Sequence, residues 1–382
     1  MRKVFLREWE RLFTRPIYRF CIFVVPLFCA LLLTTLMDEG LPSSLPVGVV
    51  DQDHTATTRA IIQRLDAFQN SSVVAHYSSI GEARRAVQRG HIYGFYYLPE
   101  GTTRQLTRGE RPKVSFYTNN AFLMAGSLLY KDMRTMSELA GGAAGRTQLL
   151  ARGATDKQAM AWLQPIVVES QALGNPSMNY NIYLSNILVP GMLSLMIFFV
   201  TVFGIGQEIK AGTGAALVRM GGGDAPALMG KLAAQGLLFL LVGAMLTLYL
   251  YGFLGFPARA GIPTMLLLMA LMVVASQGMG VLFIAVLPTP RLGLSFASLV
   301  GVLSFSICGM SFPTMAMHPV LQGAAQLFPL RHYYLTYVHT ALYGYPLATI
   351  WPHVAALCAF ALLPLLLWGR IGKIWRTVAY QP

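Results

Sequence analysis

Six long apolar runs punctuate the chain, at residues 17–37, 182–206, 232–256, 262–287, 292–312 and 348–369. Each is close to the ~20 residues needed to cross the hydrocarbon of a bilayer as a helix. A charge at the bilayer centre costs about 2.5–3.5 kcal/mol on insertion scales, and the runs avoid it, with Arg19 at the mouth of the first. The pattern predicts six transmembrane helices. The first run is too long for the 7–15-residue core of a signal peptide, and no A-x-A cleavage site follows it, so it is expected to stay as a membrane helix. Between the first and second runs lies a polar segment, 38–180, with a different rhythm. Short β-branched stretches at 45–50, 72–77, 92–98 and 114–117 predict strands, and stretches at 55–68 and 80–87 predict helices. From 121 to about 171 the spacing is helical, with a break expected at Gly141-Gly142. Strands alternating with helices predict a small inserted α/β domain.

Charge adds an orientation. Only 12% of residues are charged, against about a quarter in a soluble domain, yet the net charge is +13. Arg2, Lys3, Arg7, Arg11 and Arg15 precede the first run. Lys210, Arg219 and Lys231 lie between the second and third, Arg291 between the fourth and fifth, and Arg370, Lys373 and Arg376 follow the sixth. The short loops of opposite parity carry chiefly Arg259 and Arg331. Basic loops stay in the cytoplasm, so both termini are expected inside and 38–180 outside. That segment carries fourteen Lys/Arg against twelve Asp/Glu, near neutrality, as suits a translocated domain. The basic residues line helix ends and form no separate domain, which argues against nucleic-acid binding.

Candidate chemistry is sparse. Cys21, Cys29, Cys308 and Cys358 all lie in apolar runs, no C-x-x-C pair exists, and no metal or redox site is expected. In the inserted domain, His54, His76 and His91 sit in no H-E-x-x-H pattern. Asp51 and Asp53 read as helix caps after a strand, with a metal pair as the alternative. Gly230-Lys231 looks like the tail of a P-loop, but Ala225 and Leu232 break the G-x-x-x-x-G-K-[ST] pattern. No acidic or lysine residue falls in the middle of a run, so an intramembrane proton or sodium relay lacks its usual groups.

Three stretches together resemble the permeases of type-2 ATP-binding-cassette (ABC) exporters, in the branch with a large external domain between the first two membrane helices. The first is the amphipathic start, where Phe5, Trp9, Leu12 and Phe13 recur at helical spacing among Arg7, Glu8, Arg11 and Arg15; it resembles the family's interfacial connecting helix. The second is Gln207-Glu208-Ile209-Lys210-Ala211-Gly212-Thr213, followed by Gly230-Lys231, which resembles the loop carrying the family's coupling helix. Lys210 stands near the place of a second acidic residue, and Gly221-Gly222-Gly223 is unusually flexible. The third is Phe312-Pro313, Met317-His318-Pro319, Phe328-Pro329-Leu330 with Tyr333-Tyr334, then Gly344. It resembles the closing signature that forms short re-entrant helices, a broken geometry that survives only where protein or a cavity satisfies the freed backbone groups. Asn175-Pro176 also resembles that branch.

The fold implied is an α-helical polytopic membrane protein with six transmembrane helices and an external α/β insert. Its expected organisation is a connecting helix at 1–16, a first span at 17–37, an external domain at 38–180, and spans two to six within 181–369. The last part holds a coupling loop at 207–231 and a re-entrant segment at 313–347, and 370–382 is a cytoplasmic tail. The function implied is that of the permease subunit of an ATP-driven exporter, moving a hydrophobic or lipid-linked substrate (a drug, lipid or polymer) outward across a bacterial inner membrane. No catalytic residue and no directly bound cofactor are expected, since ATP and Mg would sit on a separate cytoplasmic ATPase. A second copy or a sister permease would complete the pair within the lipid bilayer, and a periplasmic adaptor is compatible with the external domain. Glu208, Gly212, Thr213, Arg219 and Lys231, with Glu8 and Trp9, are expected to couple to the ATPase. Phe312, Pro313, Pro329 and Tyr333 are expected to shape an external gate. The alternatives are a membrane-embedded lipid-modifying enzyme using His332 or His339, for which no acidic partner follows Asp224, and a structural anchor of a secretion assembly.

Overall fold

The computed structural model describes residues 1–378. It divides into two units, one built from 1–38 and 172–382 and the other from 39–171.

The first unit is a helical membrane bundle. Six helices are long and apolar enough to span: Pro16–Leu36, Tyr180–Lys210, Asp224–Phe253, Ile262–Val286, Pro290–Ile307 and Leu347–Thr377, called spans 1 to 6. Span 6 runs on to Thr377, past the expected end at 369. Most of the expected tail is therefore helix, and its residues 379–382 lie outside the described residues. Spans 2 and 4 form the centre of the bundle, while spans 1, 5 and 6 leave most of their surface facing outward. Helices in lipid associate by close packing of small residues rather than by a hydrophobic drive, and the glycines of this bundle mark the approaches. A Cβ on Gly278 of span 4 would come 1.9 Å from the Phe360 carbonyl oxygen of span 6, and one on Gly280 would meet Thr201 of span 2 at 2.8 Å. Polar side chains add cross-links within apolar sequence. Ser194 and Ser276 hydroxyls lie 2.8 Å apart, Gln277 donates to the Leu232 carbonyl, and Tyr251 donates to Asn186 Oδ1 at 2.8 Å. Span 2 starts at Tyr180 because the Asn179 side chain accepts from the backbone N–H groups of Asn181 and Ile182, an N-cap.

The second unit is an α/β domain around a four-stranded sheet of order β2-β1-β3-β4. The strands are β1 (Leu45–Asp51), β2 (Ser71–His76), β3 (Gly94–Leu98) and β4 (Ser115–Thr118). β1 pairs in parallel with β2 and β3, and β4 closes the edge antiparallel to β3. Period-2 alternation splits the strand residues between two cores. Val47, Val49, Tyr96 and Leu98 join Leu129 and Met133 of helix Leu123–Ala151. Val50 and Phe95 join Ala83 and Ala86 of helix Ile80–Gln88. The expected break at Gly141-Gly142 does not occur. Helix Leu123–Ala151 passes through both, and the chain turns instead at Gly153, whose φ of +87° a glycine adopts freely. A shorter helix, Asp156–Leu163, follows, and 164–179 is not helical.

Candidate functional site

The N-terminal helix, Arg2–Thr14, carries the expected aromatic positions at helical spacing. Phe5, Trp9 and Phe13 do form a row, with ring centroids 5.7 and 5.4 Å apart in successive pairs. The most buried stripe, however, is Val4, Glu8 and Leu12, so a carboxylate points inward. Two glycines make room for it. A Cβ on Gly230 would meet the Met1 carbonyl oxygen at 2.9 Å and Val4 at 3.2 Å, so the helix sits directly on the start of span 3. A Cβ on Gly204 of span 2 would meet Gln235 Nε2 at 2.5 Å and Glu8 Oε1 at 3.5 Å.

Into this space converge five charged side chains from three helices. Lys231 of span 3 donates from Nζ to Glu8 Oε2 at 2.5 Å and to Glu208 Oε1 at 3.3 Å. Gln235, one turn on, donates to Glu8 Oε1 at 2.7 Å. Glu208, near the end of span 2, also accepts from Arg7 Nη2 at 3.1 Å and from Arg11 Nη1. Thr213 Oγ1 donates to Glu208 Oε2 at 2.5 Å. Glu8, Glu208 and Lys231 are each at most 2% exposed. Two carboxylates against three cations, with every carboxylate oxygen accepting, is the paired arrangement in which buried charges are tolerated.

This arrangement revises the expected coupling roles. Glu208 is 0% exposed and spends its oxygens on Arg7, Arg11, Lys231 and Thr213, so it offers no outward contact. Lys231 and Glu8 face each other rather than a partner. Thr213 occupies the N-cap position of the short helix Gly214–Gly221, but its hydroxyl accepts from no N–H of that helix and donates to Glu208. Trp9 is half-buried among apolar neighbours. Gly212, at φ +64°, and Arg219 are exposed.

The short helix itself is mounted firmly. Leu217 and Val218 are buried, and a Cβ on Gly214 would meet Trp375 of span 6 at 2.6 Å. The Met1 amino group donates to the Gly221 carbonyl at 3.0 Å. Ala215, Ala216, Arg219 and Met220 face outward, Met220 at 41% exposure. Beside it, Asp224 in the first turn of span 3 holds the Arg376 guanidinium through two bonds of 2.6 and 2.7 Å. The absence of a side chain at Gly372 permits that approach, for a Cβ there would lie 2.1 Å from the Asp224 carboxyl carbon. Nothing in the sequence spacing linked Asp224 to Arg376.

The four residues expected at an external gate fall into two environments. Phe312 and Pro313 are exposed in the turn after span 5, whereas Pro329 and Tyr333 are buried, on helix Pro329–Tyr337. His332 lies on that helix with its Nδ1 3.2 Å from His353 Nδ1 and its Nε2 2.9 Å from the Gln326 carbonyl. No carboxylate joins the pair to make an acid–base set, and His339 turns its Nδ1 to the Leu335 carbonyl of its own helix.

In the α/β unit, the helix after β1, Ala56–Asp66, is capped not by Asp51 or Asp53, as expected, but by Thr55, whose side chain accepts from the Thr58 N–H. Asp51 accepts from the Asp53 and His54 N–H groups and from Thr58 Oγ1. Asp53 accepts from the Gly101 and Thr103 N–H groups and from Thr103 Oγ1. Partial burial pushes the Asp53 carboxyl up, but the hydrogen bonds from Thr103, Thr55 and Gly101 outweigh it and hold the group below the usual carboxylate range. Among the described residues no three His, Cys, Asp or Glu side chains gather as metal ligands would.

The sequence profile of the ABC-2 family transporter proteins matches residues 16–370. No curated protein matches the chain.

Proposed function

The chain belongs to the ABC-2 transporter family and is a multi-pass membrane component of such a transporter, and from that premise we propose that it is an export permease driven by a separate ATPase docking on helix Gly214–Gly221. The family normally works with an ATPase partner, and this chain lacks a P-loop of its own. In this reading the N-terminal helix, the short helix and the end of span 6 lie at the cytoplasmic face of a bacterial inner membrane, with the α/β unit outside. The basic loops around Lys210, Arg219, Arg370 and Lys373 support that orientation. The cargo is a hydrophobic or lipid-linked molecule, consistent with spans free of mid-membrane charge. A second copy or a sister permease completes the pathway, ATP and Mg are bound by the ATPase, and the segment around Pro329 and Tyr333 shapes the outer exit.

One observation carries the docking assignment. The outward face of helix Gly214–Gly221 presents Ala215, Ala216, Arg219 and Met220, small and apolar around a single cation, while its other face is fixed to spans 3 and 6. Interfaces are enriched in Met and Arg at their centres, and a rigid mount transmits a push. Glu208 and Lys231 act in this scheme behind the contact, holding the helix's support. The test is co-purification with the candidate ATPase and measurement of stimulated hydrolysis. Arg219→Glu and Met220→Glu, at exposed positions, should reduce stimulation about tenfold or more while leaving the permease folded. Full stimulation in both variants would move the contact elsewhere.

A further inference from the structure

Arg331 is a buried cation left without a carboxylate. It is 8% exposed, on helix Pro329–Tyr337, at the end of the bundle where span 5 finishes and span 2 begins. The chain contains no Asp or Glu after Asp224, and among the described residues no ion pair includes Arg331. Its two hydrogen bonds both leave from Nη1, to Thr314 Oγ1 at 2.7 Å and to the Cys308 carbonyl at 3.3 Å. The Nε–H is buried and has no acceptor. The contrast with the other buried cation is direct, since Lys231 meets two carboxylates.

The fixation of Nη1 leaves the Nε/Nη2 edge of the fork unused. That edge carries two parallel N–H groups at the spacing of two oxygens on one carboxylate or phosphate. Gly309, at φ +103°, makes the pose possible, because a Cβ there would come within 2.7 Å of Thr314 Oγ1 and 3.5 Å of Arg331 Nη1. The neighbouring ionisable groups supply no negative charge. His332 turns its Nε2 to the Gln326 carbonyl oxygen and its Nδ1 to the His353 imidazole, and neither ring carries a negative charge. An isolated buried charge is expensive, and a deep-set arginine in a membrane protein ordinarily meets a partner.

We infer that Arg331 binds an oxyanion of the phosphate type on its Nε/Nη2 edge, supplied by an anionic phospholipid headgroup or by free phosphate. The site stands independently of the direction of transport and of the ATPase contact. Its test uses the purified full-length chain in micelles of a phosphate-free maltoside detergent alone, with phosphatidylglycerol added, and with inorganic phosphate added at constant ionic strength. Melting temperature and the lipid retained in native mass spectrometry are read for wild type, Arg331→Gln and Arg331→Lys. Wild type should retain phosphatidylglycerol about tenfold more than Arg331→Gln does, the size of one well-formed charged hydrogen bond, or melt higher with phosphate. Arg331→Gln should lose the effect, and Arg331→Lys, which keeps the charge without the fork, should show part of it. A phosphatidylglycerol effect without a phosphate effect assigns the oxyanion to a lipid headgroup, and a phosphate effect assigns it to the free anion. Wild type indifferent to both, or Arg331→Gln with an unchanged response, overturns the inference. If Arg331→Gln does not accumulate, an unchanged response in Arg331→Lys overturns it equally.

Discussion

Replacing Lys231 by Met should release the N-terminal helix from the bundle. The substitution keeps the length of the side chain and removes the charge that Glu8 faces at 2.5 Å and Glu208 at 3.3 Å. At an effective dielectric of about 20, unit charges ~3 Å apart attract by about 5–6 kcal/mol, and desolvation offsets much of that. What the variant suffers is the uncompensated remainder. Glu208 keeps Arg7 and Arg11, but Glu8 keeps only the neutral amide of Gln235. Removing one partner of a buried pair costs about 3–5 kcal/mol. The loss should fall on residues 2–14, because a helix of that length is marginal without its packing. Amide hydrogen exchange of the nanodisc-embedded chain reads it directly. A loss of 3 kcal/mol corresponds to roughly a hundredfold faster exchange, confined to 2–14 and the first turn of span 3. Adding Glu8→Gln removes the stranded charge and should recover at least half of the loss, since neutral replacement of a whole buried pair is often tolerated. Exchange of 2–14 within threefold of wild type in Lys231→Met would refute the claim that this network holds the helix.

Asp132 is a third buried carboxylate, with Oδ1 accepting from Asn70 and with its Oδ2 and the Asn70 Oδ1 both lacking partners. Burial raises its carboxyl above the ordinary range, with the Asn70 bond opposing. The folded state therefore holds that proton more tightly than the unfolded chain, and stability falls as pH rises through the unfolded value and then the raised one. Asp132→Asn removes that penalty and puts an N–H donor beside Asn70 Oδ1. The 39–171 unit should resist proteolysis to a higher temperature at neutral pH, and a lower midpoint would contradict the reasoning. The proposed orientation predicts that a cysteine at Ser79 reacts with a membrane-impermeant reagent from outside intact cells and one at Gly222 only after permeabilisation, and equal labelling from one side would invert or discard it.

The sequence was most legible where one physical rule dominated. Lipid demands about 20 apolar residues per span, so all six spans could be placed from hydropathy. In the α/β unit, β-branched alternation located all four strands to within a residue or two, because each face of the sheet buries alternate positions. Gly141-Gly142 does not break its helix, because glycine costs only about 1 kcal/mol of propensity per residue. A 29-residue helix whose first half packs Leu129, Met133 and Met136 into the core absorbs that cost. Span 6 was cut short for a similar reason. Arg370 and Arg376 look like a tail, but Arg370 reaches the Ala285 carbonyl and Arg376 reaches Asp224, so the helix continues with its charges satisfied.

The site was harder to read, because a charged residue beside a span carries the same sequence signal whether it faces water or a buried partner. Glu8, Glu208 and Lys231 all stand out as charged residues beside the spans, where the family resemblance implies coupling to the ATPase. What turns them inward is small-residue geometry. Gly230 lets the N-terminal helix lie on span 3, and Gly204 leaves room for the Gln235, Lys231 and Glu8 side chains, so the charges meet one another. The signal in the sequence is Gly230 immediately before Lys231, a position without a side chain where the N-terminal helix lies. The same logic explains why Arg331 now stands out. In the network each carboxylate found its cation across 20 to more than 200 residues of sequence. Among the described residues no carboxylate from any part of the chain reaches Arg331, and a fork fixed on one edge leaves the other for the oxyanion proposed above.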